Sequence, residues 1–560
     1  MDRSSNGSEY VYQALVEAGV EVLIGIPGTQ TLPLDRTVVE RDEMEYVMAR
    51  HETAVPHVAW GYYESGGGVA ATLTVPGPGE TNAMHGLKNA YEDCVPLIHV
   101  SADVDPDHYG KKPIHEIEPE TYDTVVKRNV IVERAEELPL KVAEGLETAL
   151  TPPYGPVRLG IPSPILEAEH ELPSVSVTGR SHRIDNADRL ERAADRLAGA
   201  ERPVVYLGGG TRRSPDGPER ARELIELLNA PVVASLKGKG VFPEDDPRFM
   251  GVTGSHLPAG ARDVLEHADV VLALGTDFDG VTTANWTVPM GEQLIHVTVD
   301  PGEIDSAYEC DIPLVMDAGE ACATLRSSLE RREGDVAGWD GAEIGAAVRR
   351  EYEANLRSRE LLEETSPVRS AALLRTVRES VPRDAIVTTD VGGFRLWAKQ
   401  TFEAYGPHRY ISAGSWAGMG VGLPAAIGAQ LANPERDVVC LSGDGGLMMC
   451  IHELHTAVEY ELPIVLVVSN NSDYGIISKS PKIKTYAQDH QFTWTSPSFC
   501  DVARGFGWDV HGVESVTALE SALESALSVD RPVLVDVDVD GHEPSATEAA
   551  EYRSTVVDAR

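Results

Sequence analysis

Short apolar runs alternate along this chain with stretches whose apolar residues recur at helical spacing. Residues 8–18 have the spacing of an amphipathic helix, and a second helix is predicted to open at His51 and Glu52, with Pro56 near its first turn. Continuous apolar runs between helices are typical of parallel strands that are buried on both faces. In the first third of the chain these runs are 22–26, 45–49, 68–74 and 97–101. The pattern predicts an α/β fold.

The same alternation recurs in two further blocks, so the 560 residues divide into about three domains. We predict doubly wound α/β domains with mainly parallel sheets over 1–180, 188–330 and 366–545, the second of them Rossmann-like. The polar stretch 173–187 is expected to be a linker, and 331–365 a helical surface connection. The first and third blocks are similar in size, which hints at related folds. Strands of the second block are predicted at 203–207, 231–234, 270–274 and 294–299.

The third block contains the residues with the clearest chemical meaning. Asp444, between two glycines, follows the apolar run 437–442, and Asn471, 27 residues further on, follows the run 463–469. Residues 447–461 between them have helical spacing, so the segment is predicted to be a βαβ unit. Because the carboxyl ends of parallel strands meet at one edge of a sheet, this carboxylate and this amide are expected there together. Their hard oxygens suit Mg²⁺, with water and a diphosphate as the remaining ligands.

The composition limits the partners and the compartment of the chain. It carries 89 acidic against 48 basic residues, with 11 lysines, for a net charge of −41. The charge is spread along the whole chain and repels nucleic acid and anionic membranes. Such a charge is typical of proteins from salt-accumulating halophiles, and a somewhat acidic mesophilic enzyme is the alternative. No apolar run approaches the ~20 residues of a membrane span, and the N-terminus has no export signal, so we expect a cytoplasmic protein. The six cysteines form no CxxC pair and are expected to be reduced core residues.

With these motifs in view, the chain resembles the thiamine-diphosphate enzymes of the acetohydroxyacid (acetolactate) synthase, pyruvate oxidase and benzoylformate decarboxylase family. Gly-Asp-Gly followed at this spacing by Asn-Asn resembles the cofactor signature of that family, and the resemblance covers about residues 8–542. It implies a pyrimidine-binding domain, a middle domain and a diphosphate-binding domain, in this order. The other matching segments are 25–29, 50–52, 77–82, 390–393 and 418–428.

The resemblance also implies roles for individual residues around the reacting part of the cofactor. Glu52 matches the carboxylate that hydrogen-bonds N1′ of the pyrimidine and favours its imino form, and it is expected in apolar surroundings. Met419 matches the bulky residue beneath the bent cofactor. The backbone carbonyl of Ala417 matches the acceptor of the 4′-amino group.

A second set of residues matches those that hold the diphosphate and the metal. The Mg²⁺ ligands would be Asp444, Asn471 and the backbone carbonyl of Asp473. The Asp473 side chain departs from the family pattern, in which small residues are frequent, and a solvent-facing position is the alternative. The residues expected along the diphosphate are Gly392, Gly393, Gly445, Gly446, Tyr474, Gly475 and Ile476.

The match weakens around the substrate. His115 stands where the synthases carry Gln, and it is either a proton relay, as in pyruvate-type decarboxylases, or a solvent-facing loop residue. Residues 476–484 replace the tryptophan-containing segment of the synthases, and their three lysines indicate either an anionic substrate group or an exposed loop. The glycine run 208–210 lies near the position where the synthases hold FAD, and FAD binding is left open.

These observations lead to three functional alternatives. The first is decarboxylation of a 2-oxo acid such as pyruvate with carboligation to a second carbonyl, as in acetolactate synthases. The second is a simple 2-oxo-acid decarboxylase that releases an aldehyde, which His115 favours. The third is a non-catalytic paralogue, against which the intact Glu52, Asp444 and Asn471 argue. The family also implies a homodimer, paired into a tetramer, and leaves open whether a regulatory subunit binds.

Overall fold

The computed structural model describes residues 5–170, 173, 186–332, 338–480 and 492–557. Within these ranges the chain forms three α/β domains, each built on a six-stranded parallel sheet, as predicted. The domain limits 1–180, 188–330 and 366–545 stay predictions, and most of the predicted linker 173–187 lies outside the described residues. A short antiparallel pair, β1 (Ser5–Asn6) with β8 (Glu169–His170), joins the two ends of the first domain.

Every strand that the sequence predicts is present, with its ends displaced by no more than two residues. The first sheet contains β2 (Val22–Gly25), β3 (Glu45–Met48), β4 (Ala70–Thr74), β5 (Leu97–Ser101), β6 (Arg128–Ile131) and β7 (Pro156–Gly160). The second contains β9 (Pro203–Leu207), β10 (Val232–Ala234), β11 (Phe249–Val252), β12 (Val270–Leu274), β13 (Leu294–Thr298) and β14 (Ile312–Val315). The third contains β15 (Ile386–Thr389), β16 (Tyr410–Ser412), β17 (Val438–Gly443), β18 (Ile464–Asn470), β19 (Asp509–Val513) and β20 (Val533–Asp538).

The first and third domains share one strand order. The first sheet runs β3-β2-β4-β5-β7-β6 and the third runs β16-β15-β17-β18-β20-β19, so the two sequences of neighbours are the same. The middle sheet has the order β11-β10-β9-β12-β13-β14, which is the doubly wound order of dinucleotide-binding folds. The similar size of the two outer blocks is thus matched by a common topology.

Helices cover both faces of the sheets. In the first domain they are Gly7–Glu17, Leu32–Val39, Ala54–Glu64, Pro78–Glu92, Leu138–Ala149 and Ser163–Glu167. In the middle domain and the following connection they are Ala187–Ala198, Gly209–Arg213, Gly217–Leu228, Ala259–Glu266, Ala318–Glu330 and Gly341–Ser358. In the third they are Ser370–Ser380, Gly393–Thr401, Gly422–Ala432, Asp444–Cys450, Leu454–Glu459, Gly475–Ser478, Phe499–Phe506, Val516–Leu527 and Ala546–Ala550.

Two helices differ from the prediction, and the buried carboxylate of Glu453 contacts the chain at both places. The helix expected at His51 begins at Ala54, and the helix expected over 447–461 is broken by a 3₁₀ turn that ends at Glu453. Glu453 Oε1 accepts the backbone N–H groups of Arg50 at 2.9 Å and His51 at 3.0 Å, while Oε2 accepts the hydroxyl of Thr456 at 2.5 Å. The contacts with Arg50 and His51 lie between domains and are invisible to helical spacing, so the pattern placed the start of the first of these helices wrongly.

The first and third domains pack directly against each other through the helices Ala54–Glu64 and Gly422–Ala432. A Cβ at Gly61 would collide with the backbone of Ala425, and one at Gly428 would collide with the backbone of Val58. Glycine at both positions lets the two helix backbones approach closely. The two domains therefore share one continuous apolar core.

Two further predictions concern the cysteines and the membrane. All six cysteines are free, and Cys322, Cys440 and Cys450 are buried while the other three are partly exposed, so the core prediction holds for half of them. Among the residues that the structure describes, no helix combines the length and apolar character needed to cross a bilayer.

Candidate active site

The candidate site lies at the carboxyl edge of the third sheet, where the direction of strand addition reverses. From β15 the chain passes to β16 on one side, whereas β17 lies on its other side and leads to β18. Asp390 follows β15, Asp444 follows β17 and Asn471 follows β18. A crevice outside the strand ends at such a reversal is the usual ligand position of open parallel sheets.

Asp444 is the buried acid of this crevice, with 3% of its surface exposed. Its Oδ1 accepts the N–H of Gly445 at 2.8 Å and its Oδ2 accepts the N–H of Ser472 at 2.6 Å. Burial raises the pKa of Asp444 to about 6. A cation at this position would compensate the buried charge.

The loop after β18 is fixed by its own polar groups. Asn471 Oδ1 accepts the N–H of Asp473 at 3.1 Å, and Ser472 donates its hydroxyl to Ser496 at 2.9 Å. The Asp473 side chain accepts a hydrogen bond from the hydroxyl of Ser478 at 2.6 Å and so stabilises the short helix that follows. This bond explains why an acidic residue is tolerated at this position. Within the described ranges no group of three His, Cys, Asp or Glu residues could hold a metal. One carboxylate, one amide and one main-chain carbonyl, completed by water and diphosphate oxygens, still make a hard-oxygen set that fits Mg²⁺.

Asp390 is a buried acid at this strand edge that the sequence analysis quoted in a motif but did not assign. It is fully buried, and its carboxylate accepts the N–H groups of Val391 at 2.6 Å, Gly420 at 3.0 Å and Gly422 at 3.0 Å. Burial raises its pKa. The carboxylate joins the end of β15 to the turn that follows Met419. An acid at a strand end before two glycines was the available signal.

The four predicted glycines line the floor of the crevice. A Cβ at Gly446 would lie 2.7 Å from the Asp390 carboxyl carbon, and one at Gly445 would lie 2.8 Å from the Tyr474 ring. At Gly393 the nearest atom, the backbone nitrogen of Ile476, would lie 3.7 Å away, which is an ordinary contact that a side chain would tolerate. Gly393 begins a nine-residue helix, whose first N–H groups favour an anion. The floor therefore has the polarity for a diphosphate.

The residues expected on the other wall follow Asn471 closely. The Tyr474 ring lies 4.7 Å from the ring of Trp494, and Tyr474 and Ile476 are 37% and 43% exposed. Gly475 starts a short helix, and a Cβ there would lie 3.1 Å from the Asn471 amide. Trp494, which the sequence analysis missed, also approaches Gly445. Of the three lysines in the segment 476–484, Lys479 places its Nζ 4.0 Å from Oε1 of Glu543. The other two, Lys482 and Lys484, lie outside the described residues.

Met419 and Ala417 lie on the loop between β16 and the helix Gly422–Ala432. Ala417 has a left-handed backbone with φ of 49°, so the turn is held in a sparsely populated conformation. Met419 is half-buried and borders a cavity of about 420 Å³ that Thr53 and Ala54 of the first domain also line.

Glu52 and His115 both lie in the first domain. Glu52 is half-buried, and its Oε2 accepts an N–H of the Asn82 side chain at 3.0 Å. His115 has φ of 64°, is half-buried, and places Nδ1 3.3 Å from Oε1 of Gln30. In the described part of this single chain, no hydrogen bond joins Glu52 or His115 to the third domain. The apolar surroundings expected for Glu52 stay a prediction.

Comparisons with known proteins agree with this architecture. Residues 5–123, 190–325 and 390–537 match the N-terminal TPP binding domain, the central domain and the C-terminal TPP binding domain of thiamine pyrophosphate enzymes. The chain is 32% identical to the acetolactate synthase isozyme 3 large subunit of Escherichia coli (strain K12), over 96% of this chain and 95% of that protein. It is 30% identical to the acetolactate synthase large subunit of Haemophilus influenzae, over 96% and 95%. It is 29% identical to the probable acetolactate synthase large subunit of Methanocaldococcus jannaschii, over 95% and 92%. The chain belongs to the thiamine-diphosphate enzyme family that contains the acetolactate synthase large subunits.

Proposed function

We propose that this chain catalyses the thiamine-diphosphate-dependent decarboxylation of a 2-oxo acid and the transfer of the remaining fragment to a second carbonyl compound. The observation that carries the proposal is the position of Asp444 and Asn471 on adjacent strand ends at the reversal point of the third sheet. Relatives named acetolactate synthase over nearly the whole chain support the same chemistry.

The residues of the third domain would hold the cofactor by its charged end. Asp444, Asn471 and the carbonyl of Asp473 would bind Mg²⁺, and the backbone N–H groups around Gly392 and Gly393 would receive the diphosphate. When bound, thiamine diphosphate supplies a carbon nucleophile for the 2-oxo acid. Met419 would support the bend between the two rings of the cofactor.

Glu52 would hold the proton shared with the pyrimidine nitrogen. In one chain its carboxylate is bonded to Asn82 and half exposed, so a second chain is needed to enclose it. Apolar side chains exposed near the candidate site support such an interface. These are Trp416, Met448, Met449, Tyr474, Ile476, Ile477 and Phe492.

The assembly that follows is a homodimer with two shared sites, paired into a tetramer of closed symmetry. Glu52→Gln subunits and Asn471→Ala subunits should each be inactive alone. Mixed dimers of the two should regain activity, because one of their two sites is wild type. If subunit exchange is demonstrated and no activity returns, the sites are not shared. The relatives are named large subunits, so co-purification of a smaller chain is worth testing in parallel.

The middle domain has a pocket where the synthases would hold FAD, but its charges do not fit an anionic dinucleotide. Its cations are Arg213, which donates to Glu64 at 2.7 Å, and Lys237, which donates to Glu64 and to Asp93 at 2.8 Å each. Both are thus already paired. The carboxylates that line the pocket are Glu92, Asp93, Asp277, Asp279, Asp300, Glu303 and Asp317. We therefore expect the purified protein to lack flavin absorbance.

The glycine run of the middle domain has a structural explanation. A Cβ at Gly208 would collide with the carbonyl of Gly275, and one at Gly210 would lie 3.0 Å from the Gly275 Cα. The glycines therefore allow the loops after β9 and β12 to touch.

Product analysis with pyruvate as the only substrate tests the proposed function. Acetolactate formed in a thiamine-diphosphate-dependent and Mg²⁺-dependent reaction is the expected result. Acetaldehyde alone would favour the simple decarboxylase, and neither product with pyruvate or other 2-oxo acids would favour a non-catalytic role. Asp384→Asn, an exposed change at the opposite edge of the same sheet, serves as the control variant.

A further inference from the structure

One histidine of the first domain holds the loop that carries Ala417 and Met419. The indole N–H of Trp416 donates to His85 Nδ1 at 2.8 Å, and His85 Nε2 lies 3.4 Å from the carbonyl oxygen of Met419. Because Nδ1 accepts a hydrogen bond, the proton of the neutral ring is on Nε2 and faces that carbonyl. The ring thus contacts the loop on both sides of Gly418.

The absence of a side chain at Gly418 makes this contact possible. A Cβ built at Gly418 would collide with Cε1 and Nε2 of the His85 ring. The ring therefore occupies the volume that any other residue at 418 would need. His85 and Gly418 are complementary in shape, although they lie 333 positions apart in the chain.

The ring is supported from behind by a second histidine. His57 is fully buried and meets His85 edge to face, with the ring centroids 4.8 Å apart and the planes at 82°. Burial lowers the pKa of His57 to about 3, with a smaller contribution from His85. An uncharged, close-packed His57 leaves His85 little freedom to turn away from the loop.

We propose that His85 is a positioning residue, which locks the turn at Ala417 to Met419 and thereby fixes the apolar support of the cofactor. The inference rests on the proposed function, because that function gives Met419 its role. The left-handed backbone of Ala417 is costly on its own, so a bond from outside the loop is needed to hold it. The loss of this clamp should weaken the retention of thiamine diphosphate and slow turnover, while the KM for pyruvate changes little.

Two substitutions at His85 separate these contributions. His85→Leu removes both contacts, and we expect about tenfold weaker cofactor affinity and a similar fall in kcat. His85→Asn retains an acceptor near Nδ1 for Trp416 and should recover part of both. Fluorine NMR of fluorotryptophan-labelled protein, with Trp416 assigned by Trp416→Phe, reports the indole contact independently of activity. His108→Leu, in an exposed loop of the same domain, is the control.

Gly418→Ala tests the shape complementarity. Alone it should displace the His85 ring and impair cofactor binding, and combined with His85→Ala it should impair binding less than the two single effects predict. Additive effects, or a His85→Leu protein with wild-type cofactor affinity and kcat, would overturn the proposal. A shifted Trp416 signal with unchanged affinity and kcat would also overturn it, because His85 would then only pack. If the wild type has no thiamine-diphosphate-dependent turnover, the proposed function fails. The role of His85 is then still decided by the Trp416 signal and by the coupling between Gly418→Ala and His85→Ala measured by thermal stability.

Discussion

Replacement of Asp390 by asparagine tests the hydrogen bonds that connect the end of β15 to the turn after Met419. One carboxylate oxygen accepts the N–H of Gly420 and the other accepts the N–H of Gly422, both at 3.0 Å. In asparagine one of these oxygens becomes an NH₂ group, which cannot accept. One of the two bonds is lost, and a buried N–H then faces another donor.

The size of the effect follows from the number of bonds. A hydrogen bond to a charged group contributes about 1.5–3 kcal/mol, and each 1.4 kcal/mol is about a factor of ten in an equilibrium constant. If the bound cofactor must restore the ordered turn, its affinity falls about 10-fold to 150-fold in Asp390→Asn. Asp390→Ala removes both bonds to the turn, at about 3–6 kcal/mol for these two, as well as the bond from Val391, and should also lower the stability of the domain.

Titration calorimetry with thiamine diphosphate and Mg²⁺ measures the affinity, and thermal unfolding measures the stability. Asp384→Asn is the matched control, since this exposed residue pairs with Arg436 at 2.8 Å and a surface pair contributes about 0–1 kcal/mol. Wild-type affinity and stability in both Asp390 variants would refute the assignment of this carboxylate to the turn.

The remaining predictions concern the proton partner, the metal and the surface charge. Glu52→Gln should keep cofactor affinity within a few-fold of wild type and lose turnover by orders of magnitude, and wild-type-like turnover would falsify its role. Asp444→Ala and Asn471→Ala should each abolish Mg²⁺-dependent cofactor retention, because each removes a hard oxygen ligand; calorimetry with unchanged affinity in both would rule out the metal site. The net charge of −41 predicts that folding and activity require molar salt, and full stability after dialysis into ~10 mM salt, where the Debye length is about 30 Å, would contradict a halophilic origin.

Local patterns predicted the fold well because strands that are buried on both faces appear as uninterrupted apolar runs. They failed where a distant side chain decides the outcome. The start of the helix at Ala54 depends on Glu453, about 400 residues away, because its carboxylate accepts hydrogen bonds from the backbone N–H groups of the preceding turn. The role of Asp390 depends in the same way on a glycine turn 30 residues further on. Asp444 and Asn471 could be found because each directly follows its own strand.

The buried carboxylate of Glu453 has a consequence for communication between sites. It ends the 3₁₀ turn that follows the helix starting at Asp444, and it holds the backbone of Arg50 and His51 beside Glu52. In a dimer of the proposed kind, Asp444 and Glu52 of one chain face two different cofactors. A shift of the Asp444 helix on filling one site is then passed through a single rigid link to the acid of the other. Cofactor binding at the two sites would then be coupled, so that the occupancy of one site would change the cofactor affinity of the other.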